Sequence, residues 1–160
     1  MRTLVLRLFN IKNRPSFSYS VNGLDVMALL DTGAETPVWC TGDKKFQIVY
    51  PEARKLEWQT EIHGFGGNLE KADVYVIPEF SLSDGNNTYR INNLEVAVCN
   101  HHLIGYDFVM SDTMFYKADT NIHRINDKYV EISYEKESYQ CAVKRVGGTF
   151  SIVAFAQNEV

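Results

Sequence analysis

Val26-Met27-Ala28-Leu29-Leu30-Asp31-Thr32-Gly33-Ala34 joins an apolar run to a tight polar turn, and its reading decides the fold. Five apolar residues in a row read as a buried strand. Asp-Thr-Gly directly after them delivers one carboxylate to the strand end, where glycine permits positive φ. A carboxylate so placed suits acid/base attack on a peptide carbonyl. That chemistry needs two carboxyls close enough to share one proton, one taking a proton from water while the other polarises the carbonyl. The motif occurs once: Asp84-Gly85 lacks the hydroxyl residue, and Asp112-Thr113 and Asp119-Thr120 lack the glycine. A second carboxyl has no internal source, so the paired chemistry requires a symmetric homodimer.

Outward from this stretch the period is mostly two. Phe17-Ser18-Tyr19-Ser20-Val21 alternates and Leu24 to Leu30 returns, with Asn22-Gly23 between them. Both residues of such a turn take positive φ, which makes Asn-Gly a strong hairpin signal. Lys71 to Phe80 predicts a strand ending near Pro78. The polar turn Ser83-Asp84-Gly85-Asn86-Asn87 follows, then a strand over Tyr89 to Val98. Tyr129 to Tyr134 alternates, and Tyr139 to Val146 meets Thr149 to Phe155 through Gly147-Gly148. Helix candidates are few: Pro51 to Leu56, with proline at the first helical position, and Asp107 to Phe115 after Gly105. The fold class expected is all-β with few short helices.

A chain of 160 residues, 45% apolar and 22% charged, fits one soluble domain. It is too short for two domains that each carry a catalytic half. A formal charge of −4 argues against a nucleic-acid footprint. Arg2, Arg7 and Asn10 interrupt the apolar stretch from Met1 to Lys12, so it reads neither as a signal peptide nor as a membrane span. Cys40, Cys99 and Cys141 are odd in number and widely spaced, as expected of reduced, packed thiols. A cytoplasmic location is the expectation.

Ala28-Leu29-Leu30-Asp31-Thr32-Gly33-Ala34-Glu35 resembles the active-site signature of the retropepsin-like aspartic proteases. Two further segments match in order. Gly64-Phe65-Gly66-Gly67 is similar to the glycine-rich tip of that family's flap, and Leu103-Ile104-Gly105-Tyr106-Asp107 to its second motif. The resemblance covers Phe17 to Phe115. It implies a retropepsin-like half-barrel over residues 1–115 with a flap hairpin, and it leaves 116–160 as an extra C-terminal β extension of the same domain. It also implies an aspartic endopeptidase that acts as a homodimer on extended peptide or protein substrates, without cofactor or metal.

The resemblance assigns roles residue by residue. Asp31 is catalytic and pairs with its symmetry mate around a water. Thr32 bonds across the twofold axis and holds the two catalytic loops. Gly33 lets substrate approach its carbonyl, Ala34 keeps the pocket floor small, and Glu35 is the acid after the motif. Gly64, Phe65, Gly66 and Gly67 form the flap, with Phe65 and Gly66 presenting N–H groups to the peptide. Leu103, Ile104 and Gly105 pack behind the catalytic loop, and Asp107 hydrogen-bonds the backbone that carries Asp31. Tyr106 departs from the pattern, since many members carry Arg there to pair with the acid at the position of Glu35.

Plainer readings of single segments exist. Asp-Thr-Gly alone is also a turn, Gly64 to Gly67 alone a hairpin loop, and His63 an exposed turn histidine. Cys99, His101 and His102 lie close in sequence, but no second ligand pair has matching spacing for zinc. The alternative of a different class keeps the same fold as a noncatalytic dimerisation or peptide-binding module.

Overall fold

A computed structural model describes residues 1–11, 14–31, 36–63, 69–100, 105–111, 114–115, 121–124, 128–146 and 149–156. Their elements in chain order are β1 (Arg2–Arg7), β2 (Phe9–Ile11), β3 (Arg14–Val21), β4 (Leu24–Asp31), β5 (Val38–Trp39), α1 (Asp43–Val49), β6 (Arg54–His63), β7 (Leu69–Ser83), β8 (Thr88–Val98), β9 (Phe108–Ser111), β10 (Asn121–Arg124), β11 (Tyr129–Tyr134), β12 (Tyr139–Val146) and β13 (Thr149–Ala156). The protein is mostly β with one short helix among the described residues. Two sheets form. One runs β1-β11-β10, and the other runs β13-β12-β8-β5-β9-β4-β3-β2 with β7 also on β8 and β6 on β7.

The centre of the large sheet explains the unbroken apolar run of β4. β4 pairs in parallel with β9, from Ala28 opposite Phe108 to Asp31 opposite Ser111, and β5 lies antiparallel on the other edge of β9. Along each strand, successive residues go to opposite faces. Ala28, Trp39 and Phe108 join one core cluster, while Leu29, Val38 and Val109 join the other. A strand covered on both faces has no polar side to alternate with.

The first cluster is aromatic. Trp39 is fully buried, with Phe46, Tyr50 and Phe108 around it at centroid separations of 5.5, 6.2 and 5.9 Å in edge-to-face geometry. α1 joins this cluster through Phe46 and Val49, with Tyr50 next, the three- and four-residue spacing of one helical face.

Three expectations are corrected. Pro51 does not begin a helix. α1 ends before it, and Tyr50 takes φ −121°, ψ 72°, outside the helical region that a following proline disfavours; β6 then begins at Arg54. The helix expected over Asp107 to Phe115 is, over Phe108 to Ser111, strand β9, all four residues buried. The strand expected to end near Pro78 continues to Ser83. Proline is tolerated there because the last β6 pairing is Arg54 with Val76, so β7 at Pro78 has only β8 beside it.

The Asn22-Gly23 turn forms as expected, with φ of 51° and 77° and Val21 opposite Leu24. At Gly23 an added Cβ would meet no atom within 4 Å, so the cost of Gly23→Ala comes from backbone geometry alone. A loss of about 1 kcal/mol is expected in urea unfolding with an unchanged m-value; a neutral result would mean the turn relaxes freely.

Asp84 ties the two sheets together, its carboxylate accepting from the backbone N–H of Val5 at 3.0 Å and of Asn86 and Asn87 at 2.8 Å each. Burial alone would raise its pKa, but the backbone donors outweigh it and hold the carboxyl below its ordinary value. A carboxyl depressed by folding contributes stability in full above its unfolded pKa of about 3.9, and loses it as pH falls through the lower folded value. Urea midpoints taken from about pH 6 to about pH 2 should therefore fall more steeply for the wild type than for Asp84→Asn. Parallel curves would remove Asp84 from the acid limb.

Candidate active site

Asp31 is the last residue of β4, beside the fully buried Ser111 at the end of β9. Its backbone is set by the parallel ladder, and its face by alternation: Asp31 follows Leu29 to the side of the second cluster. That cluster also holds Ile62 of β6 and Ala72 of β7. These two strands form a long antiparallel hairpin whose last pair is His63 with Leu69. The arms leading to Gly64-Phe65-Gly66-Gly67 thus pack on the same side of the sheet as Asp31. Thr32, Gly33, Ala34 and Glu35 lie outside the described residues, as do Gly64, Phe65, Gly66 and Gly67, and Leu103 and Ile104.

Gly105 is described and takes φ 92°, a left-handed angle that glycine adopts without strain. Tyr106 follows it, 4% exposed, in the second cluster with Leu29 and Val109. Next comes Asp107, bonded through both its backbone and its side chain. Its backbone N–H donates to Met27 O at 2.8 Å, and its carbonyl accepts from Cys40 N–H at 2.7 Å. Its carboxylate accepts from Met27 N–H at 3.0 Å through Oδ2. Through Oδ1 it accepts from Thr41 Oγ1 at 3.1 Å and Lys45 Nζ at 2.6 Å. The bond to Met27 reaches the backbone of the strand that carries Asp31.

Thr41 and Lys45 were not singled out from the sequence. Lys45 stands in the first turns of α1, remote in sequence from Asp107, and no local pattern joins them.

Other groups around this network are neutral. The neighbouring Cys99 thiol, together with burial and the nearby Asp107 charge, pushes the Cys40 pKa far up, and the Cys40 thiol itself donates to Val38 O at 3.8 Å. Cys40 and Cys99 are both buried, and neither is joined in a disulfide. Tyr19 is raised well above its ordinary value by burial, then by its Tyr50 partner at 2.8 Å and by Asp107. Among the described residues no group of three or more His, Cys, Asp and Glu is arranged to hold a metal ion, and no helix is long and apolar enough to cross a membrane.

No family model matches the sequence, and no curated protein does. A solved structure does: a retropepsin-like aspartic protease from Rickettsia conorii superposes with a TM-score of 0.51 at 15% identity, over 83% of this chain and 91% of that one. At that identity the likeness speaks for architecture, and the chain has a retropepsin-like fold.

Proposed function

We propose that the protein is an aspartic endopeptidase that works as a homodimer, with Asp31 and its symmetry mate as the catalytic pair. The observation that carries this reading is the placement of Asp31: it ends a doubly buried strand on the face over which the β6–β7 hairpin packs. The retropepsin-like fold supports it. In this reading one carboxylate takes a proton from the water held between the pair, and that water attacks the scissile carbonyl. The protonated carboxyl hydrogen-bonds the carbonyl oxygen as charge develops there, and a proton then passes to the leaving amine.

Thr32 holds the two catalytic loops together across the axis, and Gly33 leaves room for an extended peptide. Ala34 keeps the pocket small. Gly64, Phe65, Gly66 and Gly67 close over the substrate, supplying backbone N–H groups and excluding bulk water. Glu35 lies at the rim, and Leu103, Ile104 and Gly105 back the loop. A cytoplasmic setting fits the reduced thiols.

Cleavage of a diverse peptide library from about pH 4 to about pH 8, run on wild type and Asp31→Asn with sedimentation of the same samples, tests the reading. Asp31→Asn should lower kcat on the order of a thousandfold or more while the dimer persists. Equal cleavage by the variant would remove Asp31 from the chemistry. A stable wild-type dimer that binds peptides without cutting them would point to the noncatalytic module.

A further inference from the structure

The Asp107 carboxylate is 10% exposed and carries its charge where little water reaches it, so it depends on protein donors. Those donors come from two directions. Met27 belongs to β4, whereas Thr41 and Lys45 belong to the segment that leaves β5 and enters α1. Lys45 is half-exposed at 49%, and its ammonium stands 2.6 Å from the carboxylate. The helix that presents it is itself fixed by Phe46 and Val49 in the aromatic cluster.

We propose that Lys45 and Thr41 are positioning residues for Asp31, acting through Asp107 to hold β4 in register; the proposal rests on the protease reading for its catalytic half. Asp107 opens the segment that continues as β9, and the ladder from Ala28–Phe108 to Asp31–Ser111 starts directly beside it. A carboxylate balanced by Lys45 and oriented by Thr41 grips Met27 N–H at one end of this ladder, and Asp31 stands at the other. Loosening the grip lets β4 shift along β9. Displacements of about 1 Å at a reacting group can cost on the order of a hundredfold in rate.

The test compares Lys45→Met, Lys45→Arg, Thr41→Val and the double variant Lys45→Met/Asp107→Asn in the full chain. Amide hydrogen exchange over residues 27–30 is read beside kcat and KM for the best library peptide. Lys45→Met should speed exchange at these amides about tenfold, and lower kcat about tenfold with KM within about twofold. Thr41→Val should do the same more weakly. Lys45→Arg keeps the charge and should retain most of both signals. The double variant should recover protection, because a neutral amide oxygen still accepts from Met27 N–H and no longer needs a cation.

Exchange over 27–30 unchanged in Lys45→Met overturns the proposal. So does a loss spread evenly over all amides, a double variant no better than the single, or an active enzyme whose kcat ignores Lys45. If the wild type cuts no peptide, the protease reading falls, and exchange alone then decides whether Lys45 and Thr41 hold β4.

Discussion

The parallel pairing of β4 with β9 governs how the rest of the chain must be arranged. Two parallel neighbours cannot be joined by a tight turn, so everything from β5 to β8 is crossover between them. The crossover covers both faces of the pair. α1 and β8 bring aromatic and branched residues to one side, and β6 and β7 bring Ile62 and Ala72 to the other. Covering both sides is what permits an uninterrupted apolar strand, and that strand ends abruptly in a carboxylate. The polar stop of β4 is therefore tied to the covering layers. Removing either one would leave Ala28 or Leu29 facing water.

Backbone chemistry that acts locally was legible in the sequence. Asn22-Gly23 needs only its own two residues to adopt positive φ, and it does so. Tyr129 to Tyr134 alternates in sequence and in burial alike, with Val130, Ile132 and Tyr134 inside. β9 was not legible, because Phe108-Val109-Met110 is apolar without a period, and such a run fits a buried strand and a buried helix equally well. Only the ladder to β4 decides between them. Proline at position 51 was ambiguous in the same manner, able to open a helix or close one, and the buried Phe46, Val49 and Tyr50 before it settle the choice. The placement of Asp31 at a strand end was legible because the apolar run and the carboxylate are contiguous; the Lys45–Asp107 pair was not, because it joins elements far apart in sequence.

Lys45 and Asp107 also show why an exposed ion pair and this one differ in weight. Arg2 with Glu137 pairs at 3.0 Å, but its side chains are 41% and 79% exposed, and water competes for both ends. Asp107 has little water to return to. Removing its cation leaves a charge stranded beside backbone donors, so the penalty of breaking the pair exceeds the gain of forming it. The thiols and phenols around it add no compensating charge. The pKa values of Cys40 and Tyr19 are both driven upward, and these groups remain neutral neighbours of the carboxylate.

The two faces of the central strands differ in side-chain size, and the difference has a geometric consequence. Trp39, Phe46, Tyr50, Phe80 and Phe108 fill the first face with rings. The second face holds Ala72, Ala97, Cys40, Cys99 and Val38, all small, beside Leu29, Ile62, Tyr106 and Val109. Small residues let backbones approach closely, and Ala72 and Ile62 of the β6–β7 hairpin share this cluster with Leu29. Enlarging Ala72 would lift the hairpin arm away from the face that carries Asp31, since a close-packed layer has no void to absorb extra methylenes. The aromatic face seats β4, and the small-residue face gathers the hairpin strands on the side to which the carboxylate at its end belongs.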